Sequence, residues 1–153
     1  MPVTDSLPPP ISIDSEREVL SELLNGFIRT EQMPWLRAEH FTELLPCEVY
    51  RLLTGCKEAP QLAGIAEALR ERGYRGDLLA WLEGVAYSLP SYGRAHCLEA
   101  ARAVLELARR RSLEEKIERV AIGLRCGSMT SSEAIECLRY LVTSKPRKEA
   151  GCG

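Results

Sequence analysis

From residue 15 to residue 142 the apolar residues recur at helical spacing, and nowhere do they alternate strictly with polar ones as a strand requires. That periodicity confines the chain to an all-α fold. Val19, Leu20, Leu23, Leu24, Phe27 and Ile28 form one stripe, because 3.6 residues per turn bring such positions to one side of a helix. Leu62, Ile65, Ala66 and Leu69 form another, followed by Leu78, Leu79, Leu82, Val85, Ala86 and Leu89. Further stripes run through Cys97, Ala100, Ala101, Val104, Leu105 and Ala108, then Ile117, Val120, Ala121 and Leu124, then Ala134, Ile135, Leu138, Leu141 and Val142.

Proline, glycine and capping residues divide these stripes into about seven short helices. Ser15 with Glu18, Ser112 with Glu115, and Thr130 with Glu133 have the spacing of capping boxes, so three helices are predicted to begin there. Asp77 stands where an N-cap would precede Leu78. Short helices are predicted over 37–45 and 47–54, separated at Pro46, with Gly55 in the left-handed conformation after the second. Gly73 and Gly127 are placed to end helices, and Pro34, Pro60 and Pro90 to interrupt the chain.

A chain of 153 residues suits one domain, expected over 15–143, with a flexible Pro-rich leader at 1–14 and a flexible tail at 144–153. The net charge of −2 excludes a general polyanion binder, which needs a basic excess to release counterions from phosphate. No apolar run approaches the roughly 18 residues of a membrane span, and the opening MPVTDSLPPP lacks a basic start and an apolar stretch. The expectation is a cytoplasmic protein that contacts neither nucleic acid nor membrane.

Little in the sequence carries chemistry. The six cysteines include no Cys-x-x-Cys pair, so no metal site and no cofactor are expected, and Cys152 lies in the tail. His96 adjoins Cys97, but neighbours on a helix point about 100° apart and do not hydrogen-bond side chain to side chain readily. Arg109, Arg110 and Arg111 are read as closing a helix, where they would face the negative end of its dipole. No catalytic constellation emerges, and a non-catalytic role is expected. Trp35, in a Pro-flanked connection, is a candidate exposed binding residue, whereas Trp81 lies off its helix stripe and is expected in the core or against a partner.

GRAHCLEAARAVLEL at 93–107 is echoed by GSMTSSEAIECLRYL at 127–141, an offset of 34 residues that pairs Gly93 with Gly127, Glu99 with Glu133, Ala100 with Ala134 and Leu107 with Leu141. Thirty-four residues is the length of a tetratricopeptide (TPR) repeat, a pair of helices packed closely at a small residue. GVAYSLPSYG at 84–93, with Gly84, Tyr87 and Tyr92, resembles the turn of such a repeat. The likeness spans 78–142, although neither copy has the closing proline of the pattern. TPR-like hairpins are therefore expected in the C-terminal half.

Within it, HCLEAARAVLELARRRSLEEKIERVAIGL resembles the TPR-like chaperones of bacterial type III secretion at His96, Cys97, Glu99, Ala100, Glu114 and Glu115. The resemblance implies a chaperone or adaptor that shields an amphipathic helix of a partner protein. A second resemblance lies at 16–89, where Arg75, Asp77 and Leu78 are similar to the R-x-D-L motif of death effector domains. That family implies a signalling adaptor that self-assembles through the Arg and Asp. Trp35, Trp81, Tyr87, Tyr92, Arg75 and Asp77 are the partner-binding candidates from these readings. A helical enzyme or regulator is the remaining alternative.

Overall fold

The computed structural model describes residues 12–58, 60–87 and 90–143. Among them are six α-helices and no strand. The helices are α1 (Ser12–Leu24), α2 (Leu44–Thr54), α3 (Leu62–Glu71), α4 (Leu78–Tyr87), α5 (Arg94–Cys126) and α6 (Ser131–Thr143), with short 3-10 turns at Thr30–Gln32 and Ala38–His40. Most of the expected leader, the tail from residue 144 and the stripe residue Leu89 lie outside the described residues. No helix among the described residues is long and apolar enough to cross a membrane.

Several expected boundaries move, each for a physical reason. α1 begins at Ser12, so Ser15 and Glu18 are helix-interior residues and form no cap. Phe27 and Ile28 fall beyond its end, where Gly26 at φ 75° turns the chain. The helix expected over 37–45 is instead a 3-10 turn followed by the start of α2. Two such turns are pinned by their third residue, the Arg29 N–H donating to Gln32 Oε1 at 2.8 Å and the Arg37 N–H to His40 Nδ1 at 2.9 Å. Pro46 sits in the first turn of α2, where its missing N–H leaves no bond unmade. Gly55 is right-handed at φ −90°, not left-handed as expected.

The largest departure is α5. One uninterrupted helix of 33 residues replaces the two expected between Gly93 and Gly127. Ser112 and Glu115 therefore lie mid-helix, and Arg109, Arg110 and Arg111 face no helix end. Breaking the helix at Ser112 would leave up to four N–H and four C=O groups to be satisfied elsewhere. Between Arg94 and Ile122 the segment has no Gly or Pro to compel that. Asp77 and Thr130 do cap as expected, accepting from the Ala80 N–H at 3.1 Å and the Glu133 N–H at 3.2 Å. Gly73, Gly93 and Gly127 take φ values of 95°, 92° and 73° around the helix ends.

Contacts divide the chain into two compact units, 1–106 and 107–153, the boundary falling inside α5. In the first, α4 packs on α1 and α3, and α2 packs on α1, α3 and the 3-10 turns. One apolar core holds Val19, Leu20, Leu23, Met33, Val49, Leu69, Leu82 and Val104, all nearly inaccessible. The connection between α1 and α2 contributes Met33, Leu36, Ala38 and Phe41, so its residues 33–41 act as core despite being irregular. Tyr50 is fully buried, donating its hydroxyl to the Leu36 carbonyl at 3.0 Å, with its ring 4.9 Å from that of Phe41. The second unit is a helical hairpin, the end of α5 returning through residues 127–130 into α6.

Candidate functional site

In the first unit, α1 buries Glu16, Glu18, Ser21 and Glu22 among its described polar side chains. The Ser21 hydroxyl donates to the Ala86 carbonyl at 3.1 Å, and the Asn25 amide bridges the Ser21 and Ala86 carbonyls at 2.8 and 2.7 Å, tying α1 to the end of α4. Glu16 accepts from the Thr42 N–H. Glu18, expected as a cap, lies 2.6 Å from His96 Nδ1 at the start of α5. Burial raises the Glu18 pKa, the His96 contact partly offsets this, and the neighbouring Glu22 adds to the rise. On α2, buried Glu48 pairs with Arg51 at 2.5 Å and with Arg72.

These contacts also dispose of the His96 and Cys97 pair as a nucleophile. Cys97 is 1% exposed, and burial, then Glu22 and Glu18, push its thiol up to about 12. A reactive thiolate needs the opposite surroundings. His96 turns instead to Glu18 and lies against Tyr92, the rings tilted at 42° with centroids 4.9 Å apart. Among the described residues no group of three or more His, Cys, Asp or Glu stands together as a metal site would require.

The partner-binding candidates all fall in the first unit and are not gathered into one patch by any bond among them. Trp35 and Trp81 are half-buried against the core. Tyr87 is exposed, as is Tyr92 on His96. Arg75 and Asp77 are both exposed, and the Asp77 carboxylate is engaged in capping α4.

An apolar concavity lies elsewhere, in the second unit. A groove of about 470 Å³ runs along the α5 and α6 hairpin, lined by Val120, Met129, Cys137, Tyr140 and Leu141, with Lys116, Arg119 and Glu136 completing it. Among the described side chains of the hairpin, Val120, Gly123 and Ala134 are the buried positions. The Gly123 carbonyl accepts the Met129 N–H at 3.1 Å, and a Cβ on Gly123 would stand 3.1 Å from the Met129 Cβ. This glycine, in the last turn of α5, thus permits the close turn that seats Met129 in the groove.

Sequence reasoning passed over Met129, Cys137 and Tyr140. A signal for them existed, because the stripes of 113–124 and 134–142 hold more large apolar residues than two helices can bury between them. Leu113, Ile117, Leu124, Ile135 and Leu138 are 40–51% exposed and Tyr140 is 72% exposed. The exposed apolar side chains are thus concentrated on these two helices. No family model, no curated protein and no solved structure matches the chain.

Proposed function

We propose that the chain is a non-catalytic protein-binding module, a chaperone or adaptor whose α5 and α6 hairpin receives an amphipathic helix of a partner protein. The observation that carries this reading is the groove along the hairpin. Its volume, its floor of Val120, Met129, Cys137 and Leu141, and its exposed Tyr140 suit a row of helix side chains at i, i+3 and i+7. Lys116 and Arg119 on one edge and Glu136 on the other would orient the guest by charge. Met is suited to such a floor because its unbranched thioether adapts to different guests. The chaperone resemblance directs the search for a guest toward small helical secreted subunits.

The test is to isolate the stoichiometric complex formed by the full chain and to substitute Tyr140→Glu and Cys137→Arg. Loss of the complex, or a rise of about 30-fold in Kd, is expected, that being the weight of a central aromatic anchor. A complex indifferent to both substitutions refutes the groove. The death-fold reading draws support from the exposed Arg75 and Asp77 on a compact helical unit. Under that reading Arg75→Glu abolishes self-assembly; under the groove reading it leaves guest binding unchanged.

A further inference from the structure

At the turn between α3 and α4, Arg70, Gly73, Tyr74, Arg75 and Gly76 line a concavity of about 370 Å³. Its two glycines stand at φ 95° and 99°, a backbone that residues with a side chain rarely adopt. A Cβ on either would meet nothing within 4 Å, so the space beside them is open. Tyr74 holds the turn in place, its ring packed on the core and its hydroxyl 3.5 Å from the Leu44 carbonyl at the start of α2.

The lining is cationic on a chain whose net charge is −2: two of its residues are arginines and none is acidic. Arg72, between them in sequence, is turned to Glu48 on α2. Arg70 and Arg75 make no ion pair or hydrogen bond through their guanidinium groups with any described residue. The nearest acid in sequence after them, Asp77, is engaged with the Ala80 N–H. The Gly73 and Tyr74 N–H groups donate to the Arg70 and Leu69 carbonyls at 3.0 and 3.1 Å, whereas those of Arg75 and Gly76 donate to no described residue.

We infer that this concavity binds the phosphoryl group of a small phosphate monoester. Two arginines lining one concavity repel each other, and an anion between them relieves that repulsion. Guanidinium N–H groups match phosphate oxygens two at a time, and unused backbone N–H groups in a turn supply the further donors that anions take in such concavities. A phosphoryl group brings about two negative charges and three acceptor oxygens, where a carboxylate brings one charge and two oxygens. The volume suits a small molecule, and the acidic chain as a whole repels a polyanion. The site lies in the first unit and uses nothing of the hairpin groove, so it stands or falls separately from guest binding.

Titration of the full chain with inorganic phosphate at constant ionic strength, followed by amide-resolved NMR, tests it, with acetate as the control and glycerol phosphate as the monoester. Saturable shifts centred on the Arg75 and Gly76 amides are expected with both phosphates and not with acetate. Arg70→Gln and Arg75→Gln should each weaken that binding about tenfold; both side chains are exposed, and the unshifted remaining amides report an intact fold. Shifts that never saturate, an equal response to acetate, or binding that neither substitution weakens overturns the site. A site that takes inorganic phosphate and refuses glycerol phosphate overturns the monoester assignment.

Discussion

The two units spend their apolar residues in opposite ways. Every member of the buried core cluster lies at or before Leu105, whereas beyond residue 106 only Val120 and Ala134 among the described apolar side chains are buried. The first unit is assembled from several helices and an inward-folded connection, so each apolar stripe meets another. The second has two helices, and two helices cannot cover all the apolar surface they carry. At roughly 25 cal/mol per Å² that uncovered surface is stabilisation not yet realised. A completed core and an incomplete one thus share one chain, and the incomplete one is where a partner adds most.

Thiol chemistry offers the widest separation between the two units. Cys97, buried with its pKa near 12, should alkylate about a thousandfold more slowly at neutral pH than exposed Cys126 and Cys137, followed residue by residue by mass spectrometry. Comparable rates would mean that the first unit opens as readily as the second, and the contrast would collapse. A smaller separation is expected in stability. Leu82→Ala should cost about 3 kcal/mol in urea unfolding, because Leu82 is wholly enclosed, and Leu138→Ala less than about 1 kcal/mol in the monomer. Similar losses at both positions would show the hairpin already covered.

The finest probe is the pH dependence at Glu18. Its carboxyl sits above the ordinary 4.5 in the folded chain, chiefly because it is buried. Its stabilising contribution is therefore complete below pH 4.5 and is lost as the pH rises through the folded value. Glu18→Gln should remove that decline, so variant and parent diverge in the mildly acidic range with the variant the more stable at neutral pH. A parent that gains stability over the same interval relative to the variant would show the His96 contact outweighing burial, and the first unit would owe more to that pair than to its apolar core.

The elements legible in the sequence were those set by local chemistry. The stripes of α1, α3 and α4 recur at helical period, and the caps at Asp77 and Thr130 need only a side chain and an N–H three residues on. What escaped was decided at long range. Glu18 has the right spacing to cap, yet its partner is His96, 78 residues away, and nothing local distinguishes those outcomes. Residues 33–41 look like a helix and a linker, but burial of Met33, Leu36 and Phe41 holds the backbone in 3-10 turns. Ser112 and Glu115 meet the capping rule in a segment whose residues favour continuing the helix, and continuation prevails. The 34-residue echo has a plain structural content: Gly93 and Gly127 are left-handed positions ahead of α5 and α6. The candidate site eluded single-residue scanning because Met129, Cys137 and Tyr140 acquire meaning only when α6 folds back on α5.

Gly123 gives the hairpin a hereditary consequence. A side chain there would crowd the Met129 Cβ, which as part of the chain's own frame cannot swing aside as a sulfur tip could. The constraint falls on position 123, because every residue but glycine at 129 carries a Cβ in the same place. In descendants of this sequence, position 123 should stay small, because a Cβ there fits only where the Met129 Cβ yields by a few tenths of an ångström.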